Sequence, residues 1–213
     1  EAAVVVAVYA LFVSTCVYRE LRIGDLYDDA WFRERLNINL EEKNKILTHV
    51  YGEAPLRPEW TGDRVRDEYE IALLRAFVDA GKPVLGVCFG GQLIAQAMGG
   101  SVAPAAQCEI GWKDIWSDRP DIVGNGPWFQ FHYDHWQVPA GAVEIARNPI
   151  ASQAFLINNS MAIQFHPEVT AASLDGWLVW GGDKKVVEDG QDPAVMMAQT
   201  EAYEAASIAR TND

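Results

Sequence analysis

The sequence predicts an α/β fold, an open and mostly parallel sheet flanked by helices, from the order of its central elements. A helical pattern extends to Ala80, a short β-rich run covers 84–87, and a second helical pattern ends at Gly99 and Gly100. A helix, a strand and another helix in succession indicate a parallel sheet covered by helices. The 213 residues, 49% of them apolar, predict a single soluble domain over 1–213 with a sizeable core.

The chain begins with the apolar segment EAAVVVAVYALFVSTC. Its apolar run over 2–13 is too short to cross a bilayer, and it lacks the basic residues that open a signal peptide. We therefore interpret AVVVAVY as the first, buried strand of the sheet, and we expect no association with membranes.

The helices around the central strand are predicted by apolar spacing. The first ends at Gly81 and Pro83. Its apolar positions are Tyr69, Leu73, Ala76, Phe77 and Ala80, and those of the second helix are Leu93, Ile94, Ala97 and Met98.

The second half of the chain is predicted to contain several short strands and then helices. The strand-like segments are FQFHYDHWQVP, AVEIARN, SQAFLIN and MAIQFHPEV, separated by Pro, Gly and Asn. DGWLVWG and DPAVMMAQTEAYEAASIAR have helical patterns. In the second of these, Asp192 is a suitable N-cap and Pro193 a suitable first helical residue.

Charge and cysteine content exclude several classes of function. The net charge is −13 and the pI about 4.7, so the surface repels phosphate, which argues against nucleic acids and anionic membranes as partners. Cys16, Cys88 and Cys108 form no CxxC pair. This favours a reducing, cytoplasmic location over a disulfide framework or a zinc site, and we expect no cofactor.

Cys88 lies at the centre of Gly86-Val-Cys-Phe-Gly90, the spacing of a strand-to-helix nucleophile elbow. Glycines beside it permit the strained turn, and the start of the following helix stabilises a thiolate. The N–H of Phe89 would then point toward an oxyanion formed on an attacked carbonyl. The alternative is a small cysteine that only packs in the core.

A candidate base lies in the string QFHPE, which ends a predicted strand. On an extended chain residues i and i+2 face the same side, so Glu168 can orient the ring of His166. The alternative is a surface pair at a strand end. His132 and His135 flank Asp134, but strand alternation places these two histidines on opposite faces and no ligand cluster accompanies them, so we predict no metal site.

Four segments together resemble the class I glutamine amidotransferase family: GKPVLGVCFGGQLIAQAMGG, EIGW, FHYDHWQVP and AIQFHPEVT. The resemblance covers about residues 66–178 and is greatest to stand-alone members related to the glutaminase domain of GMP synthetase. It implies a flavodoxin-like α/β fold, and it implies that Cys88, His166 and Glu168 form a catalytic triad.

The resemblance also implies the reaction and further site residues. Cys88 would attack the side-chain amide of L-glutamine and form a thioester, releasing ammonia and then glutamate. Gln92 would help to hold the substrate, and the stretch around Tyr133 and Asp134 would contact its amino-acid head. Because the sequence contains no synthetase domain, we expect a separate synthetase subunit to accept the ammonia.

The sequence departs from the family pattern before the elbow. Family members carry a Gly-rich loop that supplies the second oxyanion N–H, whereas KNKILTHVYGEAPLRPEW contains only Gly52. Either Gly52 supplies this donor, or the oxyanion hole is incomplete, or part of the loop is absent from this sequence. Two other functions stay open: a γ-glutamyl hydrolase that acts on γ-glutamyl amides or peptides, and a catalytically silent binding or regulatory module.

Overall fold

The computed structural model describes residues 64–212. The predicted first strand, Cys16 and Gly52 lie outside these residues. The helices are α1 (Arg64–Asp79), α2 (Phe89–Ala97), α3 (Ala171–Trp177), α4 (Asp183–Glu188) and α5 (Pro193–Asn212), with a π-helical turn at Leu178–Gly182. The strands are β1 (Val84–Val87), β2 (Ser101–Ser117), β3 (Gly126–Gln137), β4 (Val143–Arg147), β5 (Ser152–Ile157) and β6 (Ser160–Ile163).

The described strands form one mixed sheet in the order β1-β6-β5-β4-β2-β3. The pairing of β1 with β6 is parallel, and the other four pairings are antiparallel. The prediction of a mostly parallel sheet is therefore wrong for this part of the chain. The reason lies in short connections: Asn158 and Asn159 alone join β5 to β6, and a parallel crossover needs a dozen residues or more.

The longest described strand, β2, was not predicted. It has 17 residues and pairs with β3 along most of its length, with an irregular register between Pro104 and Glu109. Proline and glycine within β2 interrupt the alternation by which strands are recognised in a sequence. The predictions for α1, β1, α2 and β3–β6 are confirmed within one to four residues, except that β6 ends at Ile163, before His166.

The pairing of β1 with β6 determines where the chain can build a site. Val87 pairs with Ile163, so both strands end at the same edge of the sheet. The N–H of Cys88 donates to the carbonyl of Ile163 at 2.7 Å, which extends the pairing by one residue. The residues that follow the two strands are therefore neighbours. In open α/β folds, sites are commonly built at this edge, where the carboxyl ends of the strands lie.

Packing fixes the helices on the sheet. The side chains of Leu93 and Ile94 on α2 are fully buried in a cluster with Trp136 and Phe155. At α5, the backbone N–H of Ala194 donates to the Asp192 carboxylate at 2.8 Å, which confirms the predicted N-cap. No helix within residues 64–212 is long and apolar enough to span a membrane.

Candidate active site

Cys88 occupies a strained turn between β1 and α2. Its φ is 51° and its ψ is −109°, a conformation that L residues rarely adopt. A Cβ atom on Gly86 would overlap the carbonyl oxygen of Gly90 and lie 2.7 Å from the nitrogen of Gly91. A Cβ atom on Gly91 would lie 2.8 Å from the ring of Trp136. The glycine spacing therefore predicted this elbow correctly, because only glycine fits at these two positions.

His166 and Glu168 form a direct contact on the segment after β6. The Nδ1–H of His166 donates to the Glu168 carboxylate at 2.7 Å. The segment is a turn rather than the extended chain we predicted, and the N–H of Val169 approaches the carbonyl of His166 at 3.4 Å. Pro167 favours such a turn because its ring fixes φ. The predicted contact thus forms through a different backbone geometry.

The surroundings of His166 hold its ring in place and exclude water. The ring is 1% exposed and meets the indole of Trp177 edge to face at 5.1 Å between centroids. The N–H of His166 donates to the carbonyl of Phe129 at 2.8 Å, which ties the segment to β3. Trp177 and Phe129, which lie outside the QFHPE string, therefore help to fix the ring and the backbone of His166.

The pKa of the His166 ring depends on burial and on two neighbouring groups, Glu168 and Cys88. Burial alone would lower the pKa of His166, but the Glu168 carboxylate and the Cys88 sulfur raise it well above the ordinary value of 6.5. The Nε2 atom is buried and makes no well-aligned hydrogen bond within the described part of the chain. The effect of Cys88 on the pKa of His166 is first coulombic and second that of its hydrogen-bonding contact with the ring.

A glutamine that we did not predict contacts the sulfur. The Nε2–H of Gln164 donates to Sγ of Cys88 at 3.6 Å, and Gln164 is fully buried. Gln164 directly follows β6, as Cys88 directly follows β1, so the parallel pairing brings them together. The sequence signal for it was a polar side chain two residues before His166, at the end of an apolar strand.

Two of the predicted substrate contacts, Gln92 and Asp134, bind one another. The Nε2 of Gln92 donates to the carbonyl of Asp134 at 3.1 Å and to Oε1 of Gln164 at 3.4 Å. Tyr133 and Asp134 are half-buried within β3, and Lys185 lies 5.9 Å from the Tyr133 ring centroid. Burial raises the pKa of the Asp134 carboxyl against the opposing effect of His132 and His135.

A second buried polar cluster joins β2, β3 and β5. The Glu109 carboxylate is fully buried, accepts from Gln153 at 2.8 Å and from Asn148, and lies 3.4 Å from Nε2 of His132. Nδ1 of His132 donates to the carbonyl of Asp134 at 2.9 Å. Within residues 64–212 no three His, Cys, Asp or Glu side chains are grouped to bind a metal. The interaction of Glu109 with His132 is therefore a direct one between the carboxylate and the ring.

Comparison with known proteins assigns the family. The Peptidase C26 family profile matches residues 43–166, more than half of the chain, including Cys88 and His166. The chain belongs to this family. A GMP synthase (glutamine-hydrolyzing) of Thermomicrobium roseum is 35% identical over 160 residues, which are 70% of this chain and 27% of the relative.

Two solved structures support the assignment. A glutamine amido transferase from Methylobacillus flagellatus has 32% identity and a TM-score of 0.52, covering 55% of this chain and 51% of that one. A glutamine amidotransferase from Thermotoga maritima, at 22% identity and a TM-score of 0.66, shares the fold over 86% of this chain and 87% of its own. The resemblance to class I glutamine amidotransferases is thus confirmed.

This Peptidase C26 member spans only part of its curated relatives. The aligned segments cover between 20% and 30% of the GMP synthases that it matches. In this chain the elbow, the His166 imidazole and the Glu168 carboxylate lie in series at one edge of the sheet. Such a series can accept a proton from a sulfur and return it to a leaving group.

Proposed function

We propose that this chain hydrolyses the side-chain amide of L-glutamine, with Cys88 as nucleophile, His166 as base and Glu168 as the group that orients the ring. The observation that carries the proposal is the strained, positive-φ Cys88 beside an imidazole whose Nδ1–H donates to Glu168 at 2.7 Å. Family membership supports it, as do relatives whose names state glutamine hydrolysis.

The reaction proceeds through a thioester on Cys88. The sulfur attacks the side-chain carbonyl carbon, and the N–H of Phe89 with a second donor assigned to Gly52 stabilises the oxyanion. His166 gives its proton to the amide nitrogen, the C–N bond breaks and ammonia leaves. His166 then takes a proton from water, the hydroxide attacks the thioester, and the C–S bond breaks to release glutamate and restore the thiolate.

Substrate contacts are assigned to Gln92, Tyr133 and Asp134. Nε2 of Gln92 donates to the Asp134 carbonyl and to Oε1 of Gln164, which holds the Gln92 side chain beside the proposed substrate position. The Asp134 carbonyl likewise already accepts two hydrogen bonds, which leaves its carboxyl group and the Tyr133 ring as the contacts. Ammonia passes to a synthetase partner, which the glutamine-hydrolyzing GMP synthases among the relatives suggest.

A second candidate is hydrolysis of γ-glutamyl amides or peptides, favoured by the word peptidase in the family's name. The two differ only in the leaving group on the same carbonyl. Assays of glutamate and amine release from glutamine, γ-glutamyl amines and γ-glutamyl peptides separate them. Cleavage of glutamine alone supports the amidohydrolase, cleavage of peptides supports the second candidate, and cleavage of none would identify a silent binding module.

Covalent labelling tests the nucleophile directly. An electrophilic glutamine analogue should form one covalent adduct on Cys88 and none on Cys108. Burial, together with the hydrogen bond from Cys108 to Asp189, raises the pKa of Cys108 to about 11, so only ~10⁻³ of it is thiolate at pH 8. Cys88→Ala should abolish both labelling and turnover. Equal labelling of Cys88 and Cys108 in the folded protein would reject the assignment.

A further inference from the structure

The sulfur of Cys88 lies at the end of a chain of buried amide groups. Gln164 contacts the sulfur at 3.6 Å, Gln92 contacts Gln164 at 3.4 Å, and the Asp134 carbonyl contacts Gln92 at 3.1 Å. Gln164 is fully buried and Gln92 is 4% exposed. Water therefore has little access to these amides, and each amide must take its orientation from its protein neighbours.

Hydrogen-bond chemistry fixes the direction of this chain. The carbonyl of Asp134 can only accept, so the Gln92 atom that faces it must be the nitrogen. The same nitrogen faces Gln164, which must present its oxygen there. The amide nitrogen of Gln164 is then left facing the sulfur. A reversed Gln164 would place two donors against each other at Gln92, which costs the desolvation of an unpaired donor.

A donor aimed at the sulfur favours its charged form. A thiolate accepts a hydrogen bond more strongly than a neutral thiol, and the difference grows in a site shielded from water. Cys88 is 6% exposed, so a thiolate there lacks most of the solvation that water would supply. The N-terminus of α2 and the charge of His166 replace part of that solvation, and Gln164 adds a directed N–H.

We infer that Gln164 is a positioning residue that stabilises and aims the Cys88 thiolate, and that Gln92 orients Gln164 for this task. The inference rests on the proposed cysteine chemistry, but it concerns the sulfur before any substrate binds. It also gives Gln92 a role independent of substrate contact, because both of its Nε2 hydrogens serve the protein.

The test is the pH dependence of Cys88 alkylation by iodoacetamide, measured on the full chain by mass spectrometry. Gln164→Met keeps the side-chain volume but removes the donor. The midpoint of the alkylation rate should rise by about one pH unit, as expected for the loss of one hydrogen bond to a charged group. Gln164→Glu places acceptor oxygens beside the sulfur, so its midpoint should rise further. Gln92→Met, which releases the orientation of Gln164, should produce a smaller rise.

Gln130→Met is the matched control. Gln130 is also a fully buried glutamine, but its Nε2 donates to Gln153 at 2.9 Å and not to the sulfur. The pH midpoint of Cys88 alkylation in Gln130→Met should therefore equal that of the wild type. Equal midpoints for wild type, Gln164→Met and Gln92→Met would overturn the inference, as would an equal rise in Gln130→Met. If Gln164→Met does not fold, Gln92→Met decides.

The readout separates this inference from the proposed function. Alkylation needs no turnover, so a chain that shows the expected shifts but releases no ammonia would retain the role of Gln164 and reject glutaminase activity. Conversely, if the chain cleaves glutamine but substitution of Gln164 leaves the alkylation midpoint unchanged, the proposed activity stands and the role of Gln164 is rejected.

Discussion

At the scale of single residues, the imidazole of His166 is the group on which the proposed chemistry depends. The Glu168 carboxylate and the Cys88 sulfur raise its pKa against the effect of burial, so the ring holds its proton to a higher pH than an ordinary imidazole does. A protonated ring can supply the proton that ammonia needs on departure. The same shift sets the pH at which activity should fail on the alkaline side.

The variant Glu168→Gln should move that alkaline limit to lower pH. Removing the carboxylate removes one of the two groups that raise the pKa of His166, so the ring loses its proton at a lower pH. We expect kcat/KM to fall by ~10²–10⁴-fold at neutral pH, since the ring also loses its orienting partner. Profiles of kcat/KM against pH for both proteins measure the shift.

Asp175→Asn is the control for net charge. Asp175 is exposed on α3, so this variant removes a negative charge without removing a contact of the ring. It should leave both the rate and the alkaline limit unchanged. An unaltered alkaline limit in Glu168→Gln would show that its carboxylate does not control the His166 proton.

The sequence predicted those contacts of the candidate site that are local. The elbow follows from glycine spacing within five residues, and the His166–Glu168 contact spans two positions. Gln164 was missed because its role depends on the orientation of three amides that come from α2, β3 and the end of β6. No local pattern encodes such an orientation.

At the scale of elements, the turn between β1 and α2 depends on the absence of side chains. Gly86→Ala would drive a Cβ into the backbone at Gly90 and Gly91, which belongs to the same turn and cannot move away independently. We expect destabilisation of about 1–3 kcal/mol, typical of overpacking, and loss of Cys88 alkylation because the sulfur is displaced. Urea unfolding and alkylation rates measure the two effects.

Gly176→Ala is the comparison for this variant. Gly176 lies in α3, and a Cβ there would have nothing within 4 Å. The substitution should raise the free energy of unfolding by up to about 1 kcal/mol, because alanine favours a helix over glycine. A Gly86→Ala protein as stable and as reactive as the wild type would show that the elbow tolerates a side chain.

The sheet shows which elements the sequence could and could not predict. Helices and short strands were found because their apolar spacing repeats locally. The antiparallel pairing of most strands was not predicted, because strand direction depends on the lengths of the connections. Strand β2 was not predicted because its burial pattern is irregular and Pro104 lies near its start. The candidate active site nevertheless lies at the end of the parallel pair β1–β6, because the matched ends of these strands bring Cys88 beside Gln164.

At the scale of the whole molecule, buried polar groups connect the site with the sheet. Glu109 lies on β2, is fully buried, and accepts from Gln153 and Asn148 beside His132. Through His132 the cluster reaches the Asp134 carbonyl, which also receives Gln92. Buried networks of this kind stabilise a fold only while every member keeps its partners.

The charge of Glu109 should make the stability of the molecule fall in acid. Burial alone would raise its pKa, but His132, Asn148 and Gln153 outweigh burial and lower the pKa below the ordinary 4.5. Because the folded pKa lies below the unfolded value, this contribution is present above pH 4.5 and is lost as pH falls through the folded pKa. Urea unfolding between pH 3 and 7 measures it as a slope of up to ~1.4 kcal/mol per pH unit.

Glu109→Gln should flatten that acid slope and lower the stability at pH 7. The new amide nitrogen would face the donors of Asn148 or Gln153, and a buried donor left unpaired costs about 1–3 kcal/mol. Glu144→Gln on β4 is the control, since Glu144 contacts Arg147 at the surface, where ion pairs contribute little. It should keep the slope of the wild type. If Glu109→Gln kept that slope too, the acid sensitivity would arise from other carboxylates and the buried cluster would not govern it.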